Sequence, residues 1–165
     1  MNRQSAYSPL VLAAAAALAL TAGKGALAEQ DLEHGKSVYR DANCIGCHKW
    51  HGGGGGGYGG AALSLRETEL DRDLLIEVIS CGRPSTRMPY HSRGAYKTVD
   101  CYGGTTEADL GQDMPPKAAK LLRDEQIQAV ADYVLGKLQG HGEVTYEDCI
   151  EFWGEGSKQC ASMKK

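Results

Sequence analysis

Cys44-Ile45-Gly46-Cys47-His48 places two thiols and an imidazole within five residues. Sulfurs three residues apart on one helical turn can each add to a vinyl group along one edge of a porphyrin. The residue that follows then carries its imidazole under the iron. This C-x-x-C-H pattern is the attachment sequence of c-type haem. Two other chemistries compete for it. A redox C-x-x-C of the thioredoxin kind needs a βαβ setting, and no trustworthy strand pattern occurs in the chain. A structural zinc site needs a second ligand pair, and Cys81 and His91, the residues available, belong to no paired motif. The expected cofactor is one covalent haem c, with Cys44 and Cys47 in thioethers and His48 as the proximal iron ligand.

The other four cysteines, Cys81, Cys101, Cys149 and Cys160, form an even set. In an oxidising compartment they would pair, and four thiols allow three connectivities. Cys81–Cys101 and Cys149–Cys160 close the shortest loops and are expected. By the chain-entropy account each contributes roughly 3 kcal/mol. That is a large share for a small chain with one Phe and two Trp.

Export is read from the first residues. Arg3 precedes an apolar stretch from Leu10 to Ala22, and Ala26-Leu27-Ala28 offers small residues for cleavage before Glu29. Residues 1–28 are therefore expected to be a secretory signal peptide, since the stretch falls short of the ~20 residues of a membrane span. The chain has 18 basic and 21 acidic residues, and the leader holds two of the basic ones, Arg3 and Lys24. The remainder has a formal charge of −5. That mildly acidic balance argues against a nucleic-acid partner and suits docking on a basic patch.

The elements that must position the motif follow from periodicity. Residues 29–42 read as a helix with Leu32, Gly35, Val38 and Tyr39 on one face, ending beside Cys44. Residues 49–60 (KWHGGGGGGYGG) can be neither helix nor strand, because glycine loses most backbone freedom on ordering. They read as a loop, and no strand or helix beside them supports a phosphate-binding role. A second helix is expected over 68–80, with Leu70, Leu74, Leu75, Val78 and Ile79 as its stripe and Asp71 and Asp73 in its first turn. Residues 82–120 hold four of the five prolines and read as a long irregular segment, of the kind that is usually functional, with a short helix near 106–110. The third helix, over 123–138, carries Ile127, Val130, Tyr133, Val134 and Leu138. Thr145-Tyr-Glu-Asp148 then resembles a capping box that opens a short terminal helix through Phe152. Trp50 and Tyr58 are read as packing residues, and His34, His51 and His141 as exposed and without a role.

On these residues the chain resembles the class I, single-haem cytochrome c family over roughly 29–140. The resemblance rests on a first helix leading into C-x-x-C-H, then a loop, a middle helix, a Met-Pro ligand loop and a last helix. Gly35-x-x-x-Tyr39 matches the small residue and aromatic of the family's first helix, and Tyr133 the aromatic of the last. The family's proline after the motif, whose neighbouring carbonyl fixes the ligand imidazole, is absent. Gly59-Gly60-Ala61-Ala62-Leu63 stands there, and a backbone carbonyl in that stretch is expected to accept from His48.

The resemblance also implies a distal methionine, and two Met-Pro pairs compete. Met88 has the family's distance from the middle helix, and Met114 its distance from the last. The chain has about 26 extra residues between them. Met88 is preferred, with Met114 the alternative; either could instead be plain packing. His91 is a third candidate, and an iron site left open is a fourth possibility.

The resemblance implies an all-α, cytochrome c-like fold with three main helices around one covalent haem; beyond the family's pattern, the residues add a long ligand-side loop insertion and a short C-terminal helix. Residues 29–140 would form the cytochrome c domain and 141–165 a disulfide-tied extension, which could dock a partner. The implied function is a non-enzymatic, periplasmic or secreted single-electron carrier. Its donor would be a periplasmic dehydrogenase, its acceptor an oxidase or another cytochrome, and it would have no membrane span after leader cleavage. The alternative is a haem enzyme subunit or ligand sensor with an open iron site.

Overall fold

The computed structural model describes residues 31–56 and 62–163. The expected signal peptide and Tyr58 lie outside the described residues. A first helix, α1, runs over residues 31–41, and α2 (Cys44–His48) follows after a left-handed Asn43 (φ 62°, ψ 27°). The later helices are α3 (Arg72–Cys81), α4 (Glu107–Leu110), α5 (Asp124–Tyr133) and α6 (Tyr146–Trp153). One π-helical turn, Val134–Leu138, extends α5.

Three helices enclose the main core. Val38 and Tyr39 of α1, Leu75 of α3 and Ile127, Val130, Ala131 and Tyr133 of α5 are buried together with Val134, Leu138 and Phe152. Helix α1 meets α5 at Gly35, where a Cβ would lie 2.2 Å from the Ala129 carbonyl oxygen and 2.7 Å from Tyr133 Cβ. Only a bare backbone permits that approach. The Tyr39 and Tyr133 rings then pack 5.5 Å apart, tilted by 48°.

Helix α3 starts later than its apolar stripe suggests, because Asp71 caps it from outside, its carboxylate accepting from Leu74 N at 2.9 Å. The Thr68 and Leu70 carbonyls, expected within that helix, instead accept from Gln139 Nε2 at 2.7 and 3.1 Å. A long-range side chain thereby replaces a turn of helix.

The fold is mostly helical, and the expectation of no strand is corrected. Strand β1 (Tyr90–Ser92) pairs in parallel with β2 (Lys117–Leu122), Tyr90 opposite Lys117 and Ser92 opposite Leu122. Neither segment carries a strand signature; Lys-Ala-Ala-Lys-Leu-Leu is composed of helix formers. Tertiary bonds decide otherwise. Tyr90 N donates to Pro116 O at 3.0 Å, and Ser85 N and Oγ donate to Asp113 O and Oδ1 at 2.8 and 2.9 Å. The two Met-Pro pairs thus lead into neighbouring strands side by side, so the segment 88–114 begins and ends at one place.

A second, small core gathers Cys81, Ala95, Tyr96 and Cys101, with Tyr90, Val99, Tyr102, Leu110 and Met114 packed on it. Cys81 is bonded to Cys101, with their Cα atoms 5.8 Å apart. Tyr96 Oη donates to Cys81 O, the last carbonyl of α3, at 2.8 Å, and Tyr102 Oη to Gly82 O just beyond it. Helix α4 opens with a complete Thr106–Asp109 capping box.

Helix α6 opens with the complete Thr145–Asp148 box, and Cys149 is bonded to Cys160. Phe152 enters the main core and meets Trp50, ring centroids 5.9 Å apart. Buried Arg66 joins this tail to the rest. Its guanidinium donates to Gly142 O (2.7 Å), His51 O (3.2 Å), Glu143 O (3.1 Å), His141 O and Asp148 Oδ2 (3.3 Å). The extension is therefore part of the domain's packing, not an appendage to it.

Candidate haem-binding site

Helix α2 carries both thiols and the imidazole on a little more than one turn. Cys44 and Cys47 are the free cysteines among the described residues, the other four being spent in disulfides. Cys81 is thereby removed as a zinc ligand. Among the described residues no three His, Cys, Asp or Glu side chains converge on a point where an ion could sit. Burial pushes the Cys44 thiol up to about 12, so it stays protonated at neutral pH.

His48 Nδ1 lies 3.0 Å from Leu63 O. A carbonyl can only accept, so Nδ1 carries the proton and Nε2 keeps its lone pair for a metal. Burial lowers the His48 pKa, the Leu63 bond opposes that shift, and the Arg83 charge adds to it. The acceptor falls within the proline-free stretch where the sequence placed it.

The glycine run brings that acceptor into place. Gly54 N donates to His48 O (3.2 Å), Gly56 N to Cys47 O (3.3 Å) and Gly55 N to Ala62 O (2.8 Å). At Gly54 φ is +67° and a Cβ would lie 2.4 Å from Ala62 O. Glycines thus let the loop fold back over α2 and press the 62–63 backbone against it. This role was missed in the sequence, where a glycine run reads only as the absence of regular structure. Lys49, with φ 62°, begins the loop, and its carbonyl accepts from Tyr39 Oη at 2.8 Å.

The candidate distal residues fall in different settings. Met88 is half-buried and closes a turn after α3: Arg83 N donates to Met88 O at 3.1 Å, and Met88 N donates to Thr86 Oγ1 at 3.1 Å. Met114 packs on the second, small core around Cys81 and Cys101. His91 is 6% exposed on β1, and its Nδ1 donates to Lys120 O at 3.1 Å. Burial lowers its pKa, with the Lys120 bond opposing.

Of the residues given no role, His34 and His141 are exposed, as expected. His51 is half-buried and its Nδ1 accepts from Gly53 N at 3.1 Å, contrary to the expectation of exposure. Arg66 was missed altogether, because its acceptors lie 15 to 82 residues away. No local signal marks it.

The cytochrome c family pattern matches residues 32–137, well over half of the chain. The chain belongs to the cytochrome c family. It is a haem-binding electron-transfer protein, and its residues fit that group: paired free thiols on one turn and an imidazole with Nε2 available. No curated protein and no solved structure matches the chain. No helix of the described residues is long and apolar enough to cross a membrane.

Proposed function

We propose that this cytochrome c is a periplasmic single-electron carrier holding one haem c, bonded to Cys44 and Cys47, with His48 and Met88 as iron ligands. The observation that carries the reading is the His48 Nδ1–Leu63 O bond of 3.0 Å directly after two free thiols. Bound haem supplies a one-electron ferrous/ferric couple. The chain's work is to hold it. Tyr39, Val38 and Leu75 help exclude water, the glycine loop orients His48, and the turn from Arg83 to Met88 presents the distal thioether. A Met/His pair favours a higher potential than His/His. Met88 is preferred because Met114 already has a packing role and His91 a backbone one.

The leader directs export, and the two disulfides suit an oxidising compartment. Partners are a dehydrogenase as donor and an oxidase or second cytochrome as acceptor, met through a small transient interface at a haem edge. The reduced protein, matured with its haem, is to be examined with and without carbon monoxide. A low-spin spectrum indifferent to the gas is expected; rapid binding would favour a sensor or enzyme subunit. The sulfur-to-iron charge-transfer band should vanish in Met88→Ala and persist in Met114→Ala, and the reverse would transfer the role to Met114.

A further inference from the structure

Among the described residues, five that are not glycine have a left-handed backbone, and two of them are tyrosines: Tyr96 (φ 61°) and Tyr102 (φ 52°). That conformation is costly for a bulky side chain and persists only where surrounding contacts fix it. Here those contacts converge on the end of α3. Tyr96 Oη donates to Cys81 O at 2.8 Å, and Tyr102 Oη donates to Gly82 O. Tyr102 N also donates to Glu77 Oε1 of α3 at 2.8 Å, and the neighbouring Cys101 is bonded to Cys81. Burial pushes the Tyr102 phenol up to about 12 and raises that of Tyr96, so both remain donors at neutral pH.

The same stretch of backbone closes the turn that carries Met88. Arg83 N donates to Met88 O at 3.1 Å. Gly82 O and Arg83 N belong to one planar peptide group. The Tyr102 hydroxyl on one side of that group therefore orients and polarises the donor that holds Met88 on the other. Gly82 is wedged there, since a Cβ would lie 2.8 Å from Met88 O and 2.7 Å from Tyr90 N. Tyr90 in turn meets the Tyr96 ring edge-on, centroids 6.3 Å apart. Tyr96 thus touches the turn at both ends, at Cys81 O before it and at Tyr90 after it.

Resting on the reading of Met88 as the distal ligand, we propose that Tyr102 and Tyr96 are positioning residues for it. Their hydroxyls lock the backbone from Cys81 to Arg83, and that lock keeps the Met88 turn closed. They thereby set how readily an external ligand displaces the methionine from the iron. Neither tyrosine touches the reacting atoms in this account; both act through the Gly82–Arg83 peptide and Tyr90.

The test is imidazole binding to the ferric, haem-loaded protein, followed by loss of the sulfur-to-iron charge-transfer band. Imidazole reaches the iron only when the Met88 turn opens, so its apparent affinity reports that opening. Tyr102→Phe and Tyr96→Phe keep the rings and remove one hydroxyl each. Each should raise the apparent affinity about two- to tenfold, the worth of one hydrogen bond. Thr145→Ala, which removes the α6 cap, is the control: it should lower resistance to urea and leave imidazole affinity unchanged. Tyrosine variants that bind imidazole as the wild type does overturn the proposal. So does a Thr145→Ala that gains as much affinity as they do, because the effect would then be general loss of stability. If neither tyrosine variant accumulates, amide hydrogen exchange of the wild type decides. The Arg83 and Tyr102 amides should open at one common rate, and an Arg83 amide that opens much faster contradicts the lock. A charge-transfer band that survives Met88→Ala would instead strike the ligand assignment on which the proposal rests.

Discussion

Gly35 and Ala129 cross backbone to backbone, with room for a Cβ at Gly35 only 2.2 Å from the Ala129 carbonyl oxygen. That contact sets how closely α1 approaches α5, and so where α2 and its thiols stand. Gly35→Ala gains about 1 kcal/mol of helix propensity but forces the helices apart. Overpacking of this kind costs about 1–3 kcal/mol, with a backbone obstacle at the upper end. A net loss of about 1–2 kcal/mol is expected in urea unfolding; a stabilised variant would contradict the crossing.

Arg66 binds four carbonyls and Asp148 from a buried position. Arg66→Ala leaves those acceptors without their donor, at a cost of about 3 kcal/mol. The tail should become the first site of limited proteolysis. An unchanged cleavage pattern would show that α6 is held by Phe152 and the disulfide alone.

How far these contacts could be read beforehand differs by element. The helices were legible because their apolar spacing and caps are local; the Thr145–Asp148 box appears where the residues stand three apart. C-x-x-C-H was legible for the same reason. Strands β1 and β2 were not, since helix-forming residues there are held extended by bonds such as Tyr90 N to Pro116 O. Arg66 and the glycine loop act on backbone groups brought up by the fold, and backbone acceptors leave no trace in side-chain type.

The Cys149–Cys160 bond closes a separation of 11 residues. Replacing both by serine should lower stability by about 3 kcal/mol through the unfolded chain's entropy. Because α6 packs through Phe152 on Trp50 while the His48 imidazole is held by Leu63 O, the visible spectrum should survive at temperatures where the domain stays folded. Loss of the spectrum without unfolding would place the tail at the haem itself.

His91 contributes a pH dependence. Burial depresses its folded pKa below the ordinary 6.5, so the unfolded chain takes up its proton first as pH falls. The stabilisation from neutral His91 is therefore full above that value and declines as acid carries the solution toward the folded pKa. His91→Gln should show a shallower loss of stability below about pH 6.5 than the parent. An equal slope in both would remove His91 from the acid response.

Mass spectrometry of the peptide spanning Cys44 to His48, taken from protein matured with its own export machinery, tests the central claim most directly. The peptide should carry the mass of one haem across both cysteines and yield no alkylation at either sulfur. Two alkylatable thiols on a peptide of unmodified mass would contradict the account.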